Sequence, residues 1–298
     1  MTIFRGLSAF SITPTDTAGR VDTVALAGLL QRIQAAGADS VGLLGSTGGY
    51  AFLSRDERRR AVDAAMKSVG GRIPLIVGVG ALRTDEAEAL ARDAKSAGAD
   101  GLLLAPMSYT PLTEEEVFQH MAAVATAGGL PLCIYNNPGT TRFVFGEGLI
   151  ARLARLPDIV AVKMPLPADG DFCAELARLR VLTPKDFSIG YSGDWGAAQS
   201  LLSGGDAWYS VSAGLLPAEA LALTRAAMAG DRADTEHRDG FFQPLWVLFR
   251  EFGSFRVMYA IADLLGLCRV TPPRPILPLG PDDMPRVKAA LESLGLRI

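Results

Sequence analysis

The chain has 298 residues, of which 49% are hydrophobic and 20% are charged, and its formal net charge is -3 at pH 7. These values are typical of a globular protein, exclude a disordered chain and argue against nucleic acid as a partner. A single large α/β barrel has this length, so two domains of similar size are not required.

Cysteine usage and the amino-terminal segment bear on the compartment. Cys133, Cys173 and Cys268 stand singly, without a CxxC pair, which argues against a disulfide framework and against structural zinc. Arg5 and Pro14 interrupt the first apolar stretch, unlike the pattern of a secretion signal or a membrane span. We therefore expect a cytoplasmic protein that does not bind a membrane.

Short apolar runs alternate with amphipathic segments along the chain. The runs predict strands at residues 7–12, 40–44, 74–78, 101–104, 131–135, 159–163, 187–189 and 207–211. Helix starts are predicted between them, at a cap on Asp22 and at capping-box spacings of Ser54 with Glu57 and Thr113 with Glu116.

This alternation predicts the fold class. Strands joined through helices by short turns must run parallel with right-handed crossovers, and eight such units close most naturally into a (β/α)8 barrel. An open doubly wound sheet is the alternative. We expect the barrel to occupy residues 1–229, and residues 230–298 to form a helical extension that packs on it.

Lys163 is the lysine that the pattern singles out. It is one of five lysines in the chain, and it alone ends an apolar predicted strand, which places it at the C-terminal mouth of a barrel. Burial disfavours an ammonium ion, and a neutral amine can attack a ketone to form an imine, which then withdraws electrons. A lysine that extends to solvent is the alternative.

Two further motifs are expected at the same mouth. Tyr135 ends the preceding strand, so its phenol could relay protons to an imine at Lys163, although a packing tyrosine would show the same position. The loop Gly45-Ser46-Thr47-Gly48-Gly49 offers hydroxyls and amides that could bind a carboxylate. It has neither the Walker A nor the GxGxxG pattern, and an ordinary glycine-rich turn is the alternative.

Metal chemistry is not expected. His120 and His237 lie on predicted helices without histidine or cysteine neighbours at ligand spacing. An imine mechanism needs no metal and no cofactor, so we predict none.

With these motifs the chain resembles the dihydrodipicolinate synthase and N-acetylneuraminate lyase family, from Thr13-Pro14 to the segment RPILPL at 274–279. The likeness rests on Gly45-Ser46-Thr47-Gly48, on the Y-N-x-P segment that begins at Tyr135, and on Lys163, in the family's order and spacing. The resemblance implies a (β/α)8 barrel with C-terminal helices and a Schiff-base-forming lyase that acts on pyruvate or another 2-keto acid.

The resemblance also implies roles. Lys163 would form the imine, Tyr135 would relay protons, and Ser46 would link Tyr135 to Tyr109, which the family contributes from a neighbouring subunit. A homodimer or homotetramer is therefore implied. The substrate-binding residues that it implies are Ser46, Thr47, Gly48, Thr140, Gly193 and Tyr209.

Three departures from the family pattern concern the substrate. Thr140 stands where dihydrodipicolinate synthases carry arginine, with Arg142 two places later, which counts against that activity. Trp195-Gly196 replaces the acidic pair of sialic-acid lyases, which counts against sialic-acid cleavage, and Gly49 replaces a glutamate.

Three functions are open at this point. The first is aldol cleavage or condensation of a 2-keto-3-deoxy acid. The second is a dehydratase or deaminase of a hydroxylated keto acid or pyrroline carboxylate, which would begin with the same imine. The third is a barrel that binds a keto acid without turning it over.

Overall fold

The computed structural model describes residues 3–298 and contains a closed barrel of eight parallel strands in chain order, in which the last strand pairs with the first. The strands are β1 (Gly6–Phe10), β2 (Ser40–Leu43), β3 (Leu75–Gly78), β4 (Gly101–Leu104), β5 (Leu132–Tyr135), β6 (Ile159–Met164), β7 (Ser188–Tyr191) and β8 (Ala207–Ser210). The predicted (β/α)8 barrel is confirmed, and the open doubly wound sheet is not observed.

Helices connect the strands and continue beyond the barrel. They are α1 (Thr23–Ala36), α2 (Arg55–Val69), α3 (Thr84–Ala97), α4 (Glu114–Gly128), α5 (Pro138–Thr141), α6 (Glu147–Leu153), α7 (Phe172–Leu182), α8 (Ala197–Leu202), α9 (Pro217–Met228), α10 (Arg232–Phe252), α11 (Ser254–Leu264) and α12 (Met284–Ser293). Among the described residues, none of these helices is long and apolar enough to cross a membrane.

The predicted helix starts form with one difference. The Asp22 carboxylate accepts from the amides of Val24 and Ala25, and the full capping box of Thr113 and Glu116 is present. At α2 only half of the box forms: the Ser54 hydroxyl accepts from the Glu57 amide, but the Glu57 carboxylate accepts from the Val21 amide at 2.7 Å. Glu57 therefore ties α2 to the preceding β1–α1 loop.

Three predicted strands extend past the C-terminal ends of the observed strands, β2 by the single residue Leu44 and β1 and β8 for identifiable reasons. β1 stops at Phe10 rather than residue 12, because its partner β2 ends at Leu43 and Leu44 turns the chain away with a φ of 56°. β8 stops at Ser210 because the next amide, that of Val211, donates to the Asp194 carboxylate.

The barrel interior is filled by a cluster of its own, separate from the larger core between strands and helices. Phe10 and Tyr209 meet there edge to face, with ring centroids 6.2 Å apart. A Cβ atom at Gly42 or Gly45 would lie within 2.6 Å of the Phe10 ring. These glycines therefore allow Phe10 to occupy the barrel axis directly below the C-terminal mouth.

The C-terminal helices pack against the barrel from α10 onward. Trp246 stacks on Phe242 with ring centroids 4.7 Å apart and meets Trp208 of β8 edge to face at 6.4 Å. These aromatic contacts bury large apolar areas and set the position of α10. As a result, Phe249 and the start of α11 at Ser254 reach the mouth of the barrel.

Candidate active site

Lys163 lies at the bottom of a cavity at the C-terminal mouth of the barrel. Its side chain is 3% exposed, and its Nζ lies 4.0 Å from the ring centroid of Phe10 and 4.1 Å from that of Tyr135. Among residues 3–298 no hydrogen bond or salt bridge to this nitrogen is present. Aromatic faces stabilise a cation only modestly and leave the amine free to react with a ligand.

Strand register brings Lys163 and Tyr135 together. In the parallel pairing of β5 and β6, Tyr135 stands opposite Lys163, so both side chains leave the barrel at the same level. The Tyr135 phenol oxygen accepts from Asn137 Nδ2 at 3.0 Å and from Ser46 Oγ at 3.5 Å. The structure thus joins three of the predicted residues, and it adds Asn137, which sequence reasoning had not singled out.

The glycine loop after β2 has little freedom to rearrange. A Cβ atom at Gly48 would lie 3.0 Å from the backbone of Leu44, and one at Gly78 would lie 1.9 Å from the Leu44 carbonyl oxygen. Thr47 is buried and, with Ser46, lines the cavity. Close backbone packing therefore holds the two hydroxyl residues at fixed positions over the barrel.

The cavity has a volume of about 510 Å³. Of the residues predicted to bind substrate, Ser46, Thr47, Thr140 and Gly193 line it. Gly48 is not among the lining residues, and its predicted binding role stays a prediction.

Tyr209 lies below the cavity rather than in its wall. Its ring is fully buried, its centroid is 5.6 Å from Lys163 Nζ, and its hydroxyl accepts from Cys133 Sγ at 3.5 Å. Burial raises the pKa of the Tyr209 phenol and raises that of the Cys133 thiol to about 12. Both groups are therefore neutral packing residues, and the binding role predicted for Tyr209 stays a prediction.

Tyr109 lies outside the cavity of its own chain. Its side chain is 97% exposed on the loop between β4 and α4. Within residues 3–298 of one chain it makes no hydrogen bond to Ser46. The predicted link between them therefore requires Tyr109 of a second copy.

Asp194 is another residue that the sequence did not single out. Its carboxylate is 1% exposed and accepts from Trp208 Nε1 at 3.1 Å, Ser210 Oγ at 3.3 Å, the Val211 amide at 3.1 Å and the Ser212 amide at 2.7 Å. Burial raises the pKa of the Asp194 carboxyl, and the two backbone amides oppose that shift. Asp194 thereby fastens the loop after β7 to the loop after β8, both of which border the cavity.

No signal in the sequence distinguished Asp194 from the many acidic residues at helix starts, because its donors come from residues 14 to 18 positions later. Within residues 3–298, no group of three or more His, Cys, Asp or Glu side chains could hold a metal ion.

Comparison with known proteins identifies the family. The model of the dihydrodipicolinate synthetase family matches residues 3–294. The chain belongs to this family. The family, the barrel and a lyase activity, which the sequence predicted, are confirmed.

Relatives match over almost the whole chain. The 4-hydroxy-tetrahydrodipicolinate synthase of Gluconacetobacter diazotrophicus is 35% identical and covers 99% of this chain and 98% of its own length. A crystal structure of dihydrodipicolinate synthase from Agrobacterium tumefaciens is 61% identical, with a TM-score of 0.97 and coverage of 98% of each chain. The Acinetobacter baumannii dihydrodipicolinate synthase, solved in complex with pyruvate, is 29% identical with a TM-score of 0.89 and covers 99% of this chain and 100% of its own.

Proposed function

We propose that this family member forms an imine between Lys163 and pyruvate and joins the derived enamine to an aldehyde, or cleaves the corresponding aldol. The observation that carries the proposal is the buried amine of Lys163, without a hydrogen-bonding partner among the described residues, beside the Tyr135 phenol at the base of the cavity. An isolated amine beside a proton donor is what nucleophilic attack on a ketone requires.

The reaction can be written from these residues. The Lys163 amine adds through its nitrogen lone pair to C2 of pyruvate, and the carbinolamine takes up a proton and loses water to give an iminium ion. A proton leaves C3, and the enamine attacks the aldehyde carbon while the aldehyde oxygen takes up a proton. Water then hydrolyses the imine, which releases a 4-hydroxy-2-keto acid and restores the amine.

Two residue groups serve these steps. Tyr135, held by hydrogen bonds from Asn137 and Ser46, lies where it can carry protons to and from the oxygen at C2. The Thr47 hydroxyl and the loop amides provide donors for the pyruvate carboxylate, which is acceptor-only when ionised. Elimination and non-catalytic binding, the other two functions open from the sequence, are not favoured by the family match.

Exchange of the pyruvate methyl protons in D₂O tests this proposal without any aldehyde. The wild-type protein should exchange them, because the enamine forms and is reprotonated by solvent deuterons. Lys163→Arg should abolish exchange, whereas Lys185→Arg, which alters an exposed lysine, should keep it. Equal exchange rates in wild type and Lys163→Arg would contradict the proposal.

We further propose that the active unit is a homodimer or a dimer of dimers in the cytoplasm. The exposed Tyr109 side chain supports a neighbouring copy, and three free cysteines support a reducing compartment. Co-expressed Tyr109→Ala and Lys163→Ala chains would then form mixed dimers with one intact site, so about a quarter of wild-type activity should return. No recovery from demonstrably mixed dimers would contradict a shared site.

A further inference from the structure

The cavity above Lys163 has a second half that imine formation does not use. Its apolar wall includes five side chains from separate segments of the chain: Leu166, Trp195, Val211, Phe249 and Phe255. Trp195 lines the cavity and is 41% exposed, so part of a large aromatic residue is uncovered. An uncovered aromatic surface of this kind favours apolar ligands, because its burial removes water from the ring.

The cavity has few charges. Among the described residues that line it, the acidic and basic side chains are Asp194 and Lys163. When Lys163 becomes an iminium ion, its charge faces the carboxylate of pyruvate itself. Arg142, the closest arginine in sequence to the family's arginine position, is exposed and does not line the cavity. A second carboxylate in the cavity would therefore meet no free cation among these lining residues.

Three of the polar side chains that line the cavity do not replace that cation. Asn137 Nδ2 donates to Tyr135 at 3.0 Å and to Ser46 Oγ at 3.5 Å. The Thr140 hydroxyl donates to the Asn137 carbonyl at 3.3 Å, and the Ser192 hydroxyl donates to the Met164 carbonyl at 3.1 Å. The oxygen atoms of these groups can still accept hydrogen bonds, but their N–H and O–H groups already donate to other protein atoms. A carboxylate can only accept, so it would lose its water without regaining hydrogen bonds.

The geometry points to an uncharged aldehyde with an apolar substituent, aromatic or branched, as the substrate that the pyruvate-derived enamine attacks. This inference rests on the proposed function and names its second substrate. The new bond joins C3 of the enamine to the aldehyde carbon, the aldehyde oxygen takes a proton, and the substituent lies on the apolar wall. The product is a 4-hydroxy-2-keto acid with an apolar group at C4.

The start of α11 is the competing feature. The residues from Gly253 to Phe255 also line the cavity, and no side chain caps this helix. Free amides at a helix start can hold a carboxylate. If they do so here, carboxylated aldehydes will be the better substrates and the inference is wrong.

The experiment compares aldehydes at fixed pyruvate and follows product by mass spectrometry. Benzaldehyde and 2-methylpropanal represent the apolar class, and succinic semialdehyde and glyoxylate represent the carboxylated class. We expect kcat/KM for the apolar class to be higher by on the order of 100-fold, the scale set by one carboxylate left without partners.

Variants test which residues determine the preference between the two aldehyde classes. Trp195→Ala should lower the ratio of the benzaldehyde condensation rate to the methyl exchange rate by about 10-fold. Trp195→Phe should keep most of the wild-type ratio. Thr140→Arg should raise kcat/KM for succinic semialdehyde relative to benzaldehyde by at least about 10-fold, because a guanidinium group can donate two parallel hydrogen bonds to a carboxylate. Val181→Ala, at an exposed position of α7 outside the cavity lining, serves as the matched control and should change neither.

The outcomes separate the two claims. If methyl exchange is observed, three results overturn the apolar-substrate inference and leave imine formation intact. They are a preference for carboxylated aldehydes, equal rates for the two classes, and no condensation with either class. Absence of methyl exchange in the folded wild-type protein overturns the proposed function, and the aldehyde inference falls with it.

Discussion

Tyr135→Phe removes one oxygen from the proposed proton path and leaves the rest of the site in place. The ring that lies 4.1 Å from Lys163 Nζ is kept, so the packing around the amine is preserved. The lost interactions are hydrogen bonds from Asn137 at 3.0 Å and from Ser46 at 3.5 Å. Loss of about one neutral hydrogen bond should lower the free energy of unfolding by ~1 kcal/mol.

The effect on rate should be much larger than the effect on stability. A positioned general acid or base contributes on the order of 10² to 10⁴ in rate, so we expect methyl exchange to slow by about 10³, or ~4 kcal/mol in the barrier. The apparent affinity for pyruvate should change little, because the carboxylate is held by the loop containing Thr47. This pattern of lowered kcat with nearly constant KM marks a group that acts in the transition state.

The assay is proton NMR of pyruvate in D₂O, with thermal unfolding measured on the same samples. Tyr191→Phe is the matched control, since it also removes a phenol oxygen with a hydrogen bond, here to Glu175 at 2.8 Å, but outside the cavity. The control should exchange at nearly the wild-type rate. A Tyr135→Phe rate within about threefold of wild type would refute the role of the phenol in proton transfer.

Three further predictions concern the support of the site. Asp194→Asn should lower the free energy of unfolding by ~2 kcal/mol and raise KM, because the amide must face donors with its own N–H groups; unchanged denaturation curves would contradict this. Gly78→Ala should lower the free energy of unfolding by ~3 kcal/mol or prevent folding, because its Cβ would lie 1.9 Å from the Leu44 carbonyl oxygen. A melting temperature equal to that of the wild type would contradict this and show that the loop can move. Burial raises the pKa of Glu175, so its stabilising contribution is complete below its unfolded pKa, about 4.3, and is lost as the pH rises through the folded pKa. The stability difference between wild type and Glu175→Gln should therefore be larger near about pH 4 than at about pH 7, and the opposite trend in urea titrations would refute the sign.

The strands and the amine could be predicted because they are local signals. Eight apolar runs gave eight strands, and Lys163 was recognisable as a charged residue at the end of such a run. Strand ends were less predictable, since the end of β1 depends on its partner strand and on the turn at Leu44. The predicted division between residues 229 and 230 stays a prediction.

The surroundings of the amine could not be predicted, because they depend on contacts between distant segments. Phe10 lies beside Lys163 through closure of the barrel, and Phe249 reaches the mouth through the stacking of Trp246 on α10. Asp194 gains its role only when the loops after β7 and β8 come together. Sequence spacing contains none of this information, so the apolar wall and the buried carboxylate emerged from the structure alone.

Borohydride trapping tests the central claim, imine formation at Lys163, most directly. The protein is incubated with pyruvate, reduced with borohydride, digested and analysed by peptide mass spectrometry. The account predicts a reduced pyruvate adduct on Lys163, with Lys67, Lys95, Lys185 and Lys288 unmodified. An unmodified Lys163 in folded protein at saturating pyruvate, or an adduct distributed over the exposed lysines, would contradict it.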